Sequence, residues 1–381
     1  MIYYKNMRKC PICNNKKLKI VLDKNKTNIF TGTSNYKKYH PQFKCLVYQC
    51  LGCNFIFQNP SKHLKNKLSK IYSSNEAQLS QPLGEGNWGK ERFNSMKEKL
   101  SELENFKKKS ILEIACGNGH ILKYLKLKKY KDLNGIDPSL NKNYKSPNLT
   151  LYNKFVSKNL KLNKKFDLIF SICFYEHAYN INEITAFSSK HLSENGTILV
   201  IVPNVESSLK YGNPDLFAHE HISYFTTSTI KKHFANFNFY VSKNFTDKYA
   251  IAIYFKKRKK EISQNNKKIN TINYKYENIL NNKLKNLYKI TLNNKIIIHG
   301  ACNSLNNILS WINYKINYEL VDNDENKINK LFFDKKVRDL RNLKLNNYDL
   351  VFIVPLSFSP SIIENYKQLG FKGKYLTINS I

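Results

Sequence analysis

The sequence predicts an α/β protein: a parallel sheet with crossover helices, preceded by a small four-cysteine module and followed by a second, smaller α/β unit. Three observations carry this. From Ser110 onward, short apolar runs alternate with helix-like stretches, the rhythm of strand–helix–strand units. Two C-x-x-C pairs stand near the start of the chain. The first apolar run of the alternating region ends in a glycine-containing turn.

Residues 1–60 are cysteine-bearing and turn-rich and read as a zinc-binding module. The polar stretch 61–108 reads as a helical connector near the substrate, broken by a loop over Gln81–Gly89. Residues 109–256 hold apolar runs at Ile111–Ile114, Leu133–Ile136, Leu149–Tyr152, Phe166–Ile172 and Thr197–Val202, the strands of the central sheet. The Lys- and Asn-rich stretch 257–289 reads as an amphipathic linking helix. Residues 290–381 repeat the α/β rhythm, with strands at Lys295–His299, Tyr318–Val321 and Asp349–Val354.

Hydrophobic residues make up 41% of the 381-residue chain, enough to build cores and exclude global disorder. No apolar run approaches the roughly 20 residues of a membrane span. The segment Met1–Cys10 lacks an apolar core with a small-residue cleavage site, so a cytoplasmic protein is expected. The net charge of +35 would suit a polyanion. The lysines are spread along the chain among abundant Asn, Ile, Tyr and Phe, however, a mixture that points to AT-rich codon usage. There is no arginine-rich patch, and nucleic acid is not the expected partner. A small molecule is; the oligomeric state is left open.

Cys10, Cys13, Cys50 and Cys53 form the two C-x-x-C pairs, whereas Cys45, Cys116, Cys173 and Cys302 are isolated. In a reducing compartment such pairs point to metal. Each turn brings two thiolates to one ion at about 2.3 Å, and two turns close a tetrahedral shell with no position for water, so a structural Zn2+ is expected.

The turn itself reads Ser110-Ile-Leu-Glu-Ile-Ala-Cys-Gly-Asn-Gly-His120, with a helix over Ile121–Leu127. Gly117 and Gly119 let a ligand approach bare main chain. Asp137, at the end of the next strand and twenty residues past the loop, suits a ribose diol. The pattern is neither the G-x-G-x-x-G of nicotinamide enzymes nor a phosphate-binding P-loop.

Glu113-Ile-Ala-Cys-Gly-Asn-Gly resembles the first motif of class I methyltransferases that use S-adenosylmethionine, which have a Rossmann-like fold. Ala115 takes the place of the usual first glycine. The resemblance implies that Gly117 and Gly119 line the methionine part of the cofactor beside Ala115, that Glu113 supports the loop, and that Asp137 holds the ribose hydroxyls. Phe166–His177 and Leu192–Pro203 are similar to the fourth and fifth strands of that fold. The four-cysteine module in front, the Rossmann-like domain behind, and Phe217-Ala-His-Glu-His-Ile-Ser-Tyr-Phe-Thr226 between them resemble the sugar C-methyltransferases that act on nucleotide-linked keto-deoxysugars. That family implies His221 as catalytic base, with Glu220 and His219 orienting it or binding sugar hydroxyls. His177 would face the same pocket, and Tyr224 would donate to the developing oxyanion. The family tyrosine before His-Glu-His is Ala218 here, and Tyr72 matches another family tyrosine near the active site.

The chemistry agrees with such an assignment. A carbon nucleophile requires a base next to a ketone and a donor for the enolate oxygen, and histidine titrates in the right range. Alternatives with other acceptors are O- or N-methylation of another small glycan precursor and RNA methylation. A binding protein without turnover is a further alternative.

Overall fold

The computed structural model describes residues 9–29, 42–73, 96, 98–247, 250–259 and 275–381; the loop expected over Gln81–Gly89 and much of both connecting stretches lie outside them. The chain forms two compact units. The first comprises Met1–Ile20, Val47–Glu206 and His221–Ile272, and the second Val21–Leu46, Ser207–Glu220 and Asn273–Ile381.

In chain order the first unit contains the start of β1 (Leu18–Asn28), the end of β2 (Gln42–Cys50), β3 (Ile56–Gln58) and helix α1 (Lys62–Ser73). Then come β4 (Ser110–Ile114), α2 (His120–Leu127), β5 (Asp132–Ile136), β6 (Tyr144–Ser146), β7 (Leu149–Tyr152) and β8 (Phe166–Ile172). They are followed by α3 (Ile181–His191), β9 (Leu192–Pro203), α4 (Val205–Tyr211, which runs on into the second unit) and β10 (Ser223–Tyr224). Last are α5 (Thr227–Ala235), β11 (Phe239–Thr246) and β12 (Ala250–Lys257).

The main sheet has eight strands in the order β11-β12-β9-β8-β4-β5-β7-β6. From β9 to β7 all pairings are parallel, and the five strands expected from the apolar runs are these five. β12 joins β9 antiparallel and β11 closes that edge as a hairpin; this hairpin was not among the expected strands. A hairpin needs no crossover helix, so the strand–helix rhythm that reveals the others is missing there.

Strands covered on both faces are apolar at successive positions. On β4, Ile111 enters one core with Leu133, Leu168 and Leu199, while Leu112 and Ile114 enter the other with Ile169, Ile198 and Val200. The second of these cores continues into the cysteine module. Cys10, Cys50, Cys53, Phe55 and Phe57 belong to it, and Phe55 packs on Phe225 with ring centres 5.3 Å apart. Backbone carbonyls of the module are fastened too: Asn182 Nδ2 donates to Pro11 O at 3.0 Å and Asn236 Nδ2 to Ile12 O at 2.7 Å. The module therefore shares the hydrophobic core of the sheet.

The second unit adds α6 (Tyr276–Leu292), β13 (Ile296–His299), α7 (Asn303–Trp311), β14 (Glu319–Val321), a small hairpin of β15 (Leu331–Phe332) and β16 (Lys335–Lys336), β17 (Leu350–Ile353), α8 (Ser359–Gln368) and β18 (Lys374–Thr377). Its sheet, β14-β13-β17-β18, is parallel throughout. The two inserted segments are tied to α7 by buried polar groups. Asn307 Nδ2 donates to Pro214 O at 2.6 Å and Phe217 O at 2.7 Å, and Trp311 Nε1 donates to Thr27 Oγ1 at 2.8 Å. At the end of β13, Gly300 has φ +113, and a Cβ there would sit 2.5 Å from Pro355; the glycine is required by close packing. No described helix is long and apolar enough to cross a membrane.

Candidate active site

β4 is central, and the chain leaves it between β5 and β8, the kind of position where ligands bind in open α/β sheets. The turn there is left-handed at three residues: Ala115 (φ +59), Gly117 (φ +53) and Gly119 (φ +73). It is held to the neighbouring strand by Ala115 N donating to Ile136 O at 2.8 Å and Gly117 N donating to Asp137 Oδ2 at 2.8 Å. Asp137 Oδ1 accepts from Ser139 N at 2.8 Å and Ser139 Oγ at 2.6 Å. The carboxylate expected at a ribose thus also fastens the glycine turn. The second unit repeats the device: Ala301 N donates to Asp322 Oδ2 at 2.8 Å.

A Cβ added at Gly117 would meet nothing within 4 Å, so the main chain there faces open space. Glu113 lies beneath the turn, and its Oε2 is buried with no hydrogen-bond partner among the described residues. Burial, with the Asp137 charge adding to it, pushes the Glu113 carboxyl well above the usual carboxylate range. An open, glycine-lined cradle beside an unsatisfied carboxyl and an aspartate fits a cofactor that combines an amino acid with a ribose.

The four cysteines converge. Cys10 Sγ lies 3.5 Å from Cys53 Sγ, and Cys13 Sγ lies 3.4 Å from Cys50 Sγ, with all four sulfurs within 4.8 Å of one another. Four thiolates around one Zn2+ at about 2.3 Å would stand roughly 3.8 Å apart, so the donor set fits. The two turns have the same construction. Each second cysteine is followed by an asparagine in the left-handed region, Asn14 (φ 57) and Asn54 (φ 61), whose N–H donates to the carbonyl of the first cysteine at 2.9 and 2.8 Å. Asparagine tolerates that conformation better than most residues. The crowding divides the thiols: contacts with Cys10 and Cys53 push the Cys50 thiol down, while the Cys50 contact pushes Cys10 up.

A second cluster lies past the end of β8. His177 and His221 meet edge to face, with ring centres 4.7 Å apart. The Tyr72 hydroxyl lies 3.1 Å from His177 Nδ1, and Glu176 Oε1 lies 4.0 Å from His177 Nε2. Segment 221–223 is fixed here because Ile222 N and Ser223 N both donate to Glu176 O, at 2.6 and 3.1 Å. Burial, and then the neighbouring His177, hold His221 well below the ordinary histidine range, so its imidazole is neutral at pH 7. Tyr224 is buried on β10, and its hydroxyl accepts from Gln58 Nε2 at 2.5 Å. Gln58 Nε2 also donates to His221 O at 2.7 Å.

The structure therefore brings His177, His221 and Tyr72 together, with Tyr224 behind them. The other two residues of His-Glu-His fall in the second unit. There His219 is buried, with Nε2 bonded to Thr27 O at 2.9 Å, and burial pushes the Glu220 carboxyl up to about 8. Two residues of the cluster are absent from the sequence-level candidates. Glu176 precedes His177 directly, and that adjacency was a usable signal. Gln58 offers only its polarity on a buried strand.

Residues 88–244 match a family model described as a methyltransferase domain, and residues 292–376 match one described as C2185-like, N-terminal. No curated protein matches the chain. Among solved structures, an S-adenosylmethionine-dependent methyltransferase from Mesorhizobium loti is similar at 12% identity and a TM-score of 0.36, covering 45% of this chain and 100% of that one. The 1,6-didemethyltoxoflavin-N1-methyltransferase of Burkholderia thailandensis is similar at 10% identity and a TM-score of 0.37, covering 53% and 95%. The matched stretch, residues 88–244, is similar to a methyltransferase domain and holds both the glycine turn and the His177–His221 pair.

Proposed function

We propose that the enzyme methylates the carbon beside the ketone of a nucleotide-linked keto-deoxysugar, in the biosynthesis of a surface glycan or related product. The observation that carries this reading is the pair of imidazoles, His177 and His221, held with Tyr72 past the end of β8. Bound S-adenosylmethionine supplies an electrophilic methyl group on sulfonium. Gly117 and Gly119 would line its methionine part beside Ala115, Glu113 would support that loop, and Asp137 would hold the ribose.

His221, neutral at pH 7, accepts the proton from the carbon next to the ketone. The electron pair moves into an enolate, and His177, set by Tyr72, stabilises its oxygen. Tyr224 assists at the same oxygen, and Glu220 and His219 orient the histidine segment. Alignment of the two reactants contributes on the order of 7–11 kcal/mol. The four cysteines hold a structural Zn2+.

The test is solvent deuterium exchange at the carbon beside the ketone, using nucleotide-linked keto-sugars and the enzyme loaded with the demethylated cofactor. Exchange that disappears in His221→Ala, with cofactor binding retained, supports the reading. Methyl gain on a hydroxyl or amine without any exchange would move the reaction to O- or N-methylation.

A further inference from the structure

Two clusters among the described residues bring three or more metal-ligating side chains together: the four cysteines, and Glu176, His177 and His221. The second has one ligand atom from each residue, all within 4.8 Å of one another. We infer that Glu176, His177 and His221 form a second, sulfur-free site for a divalent first-row cation.

The spacing is that of an ion more than that of a proton. Glu176 Oε1 and His177 Nε2 are 4.0 Å apart, too far for a hydrogen bond. Two ligand atoms at about 2.0–2.2 Å from one metal stand roughly 3–3.6 Å apart at cis or tetrahedral angles, so this pair has to close by only about half an ångström around an ion. The ring orientation is also set as in metal sites. Ligating histidines hold their other ring nitrogen in a hydrogen bond, which fixes the tautomer, and His177 Nδ1 has the Tyr72 hydroxyl at 3.1 Å. That bond leaves Nε2 on the side of Glu176. His221 sits edge to face with His177, and its segment is anchored by two hydrogen bonds to Glu176 O. Two imidazoles and one carboxylate are a donor set for Zn, Fe, Co or Mn that leaves positions open for outside oxygens. The cysteine site, by contrast, is closed.

This site shares His177 and His221 with the mechanism proposed above, and a bound cation would keep both from that role. A cation and a transferred proton compete for the same imidazole lone pairs, so occupancy is read by spectroscopy and not by turnover. Full-length protein with zinc already in the cysteine site is titrated with Co2+. The expected result is one further equivalent, with weak visible absorption and no thiolate-to-cobalt charge-transfer band in the near ultraviolet. His221→Ala and Glu176→Gln are expected to weaken that uptake at least tenfold. Tyr72→Phe, which keeps all three ligands, should weaken it about tenfold or more. Binding of the demethylated cofactor serves as the folding control in every variant. The inference is overturned if the wild-type protein takes up no second cobalt, or if uptake is undiminished in all three variants.

Discussion

The Tyr72 hydroxyl and His177 Nδ1 lie 3.1 Å apart, which ties α1 to the segment after β8. Tyr72→Phe removes that contact and leaves the His177 ring free to turn. The expected outcome is a roughly tenfold fall in kcat with unchanged affinity for the demethylated cofactor. Unaltered kcat would show that the contact is structural only.

Gly117→Ala separates cofactor binding from stability. The new Cβ enters open space but sits at φ +53, which costs about 1–2 kcal/mol of backbone strain. If the cofactor lies against this main chain, calorimetry should show at least a tenfold loss of affinity, equal to about 1.4 kcal/mol or more. Unimpaired binding would place the cofactor elsewhere.

The cysteine site should control more than its own module, because Cys10, Cys50, Cys53 and Phe55 belong to one sheet core with Ile169 and Val200. Structural zinc contributes about 10–16 kcal/mol in small zinc-folded peptides. Chelation, or Cys50→Ser, is therefore expected to lower the melting temperature of the methyltransferase domain and abolish cofactor binding. A metal-free protein that still melts and binds as before would contradict the shared core.

His233 gives a pH signature. It is fully buried, with Nε2 2.7 Å from Thr185 Oγ1, and burial lowers its pKa to about 3. Unfolded, it titrates near 6.5. The unfolded chain thus binds the extra proton first, and stability is lost as pH falls below about 6.5 toward 3. Between pH 7.5 and 4.5 this one group removes roughly 2–3 kcal/mol. In urea melts, His233→Gln should lose that much less than wild type over the interval, and an identical pH slope would remove His233 from the account.

The central parallel strands were legible because each was a short apolar run bounded by turn residues: Leu149–Tyr152 and Phe166–Ile172 were expected and found with those bounds. The antiparallel pair β11 and β12 was not, since no helix-like stretch separates its strands. Among candidate site residues, the four cysteines and the glycine turn could be located because local spacing constrains them: a C-x-x-C turn or a strand-to-helix turn is geometry within a few residues. His-Glu-His was legible as a motif, whereas the division between the two compact units, which runs between Glu220 and His221, was not.

What the amino-acid order determined by itself was the class of fold, the convergent cysteine set and the glycine turn, all encoded in short-range patterns of apolar, glycine and cysteine residues. The tertiary structure alone decided that Glu176 joins Tyr72, His177 and His221, and that Gln58 braces His221 and Tyr224. The Tyr72–His177, Gln58–His221 and Gln58–Tyr224 hydrogen bonds join residues 105 or more positions apart. Only the packing of β3 against β10, and of α1 beside the segment after β8, brings such distant side chains within reach of a hydrogen bond.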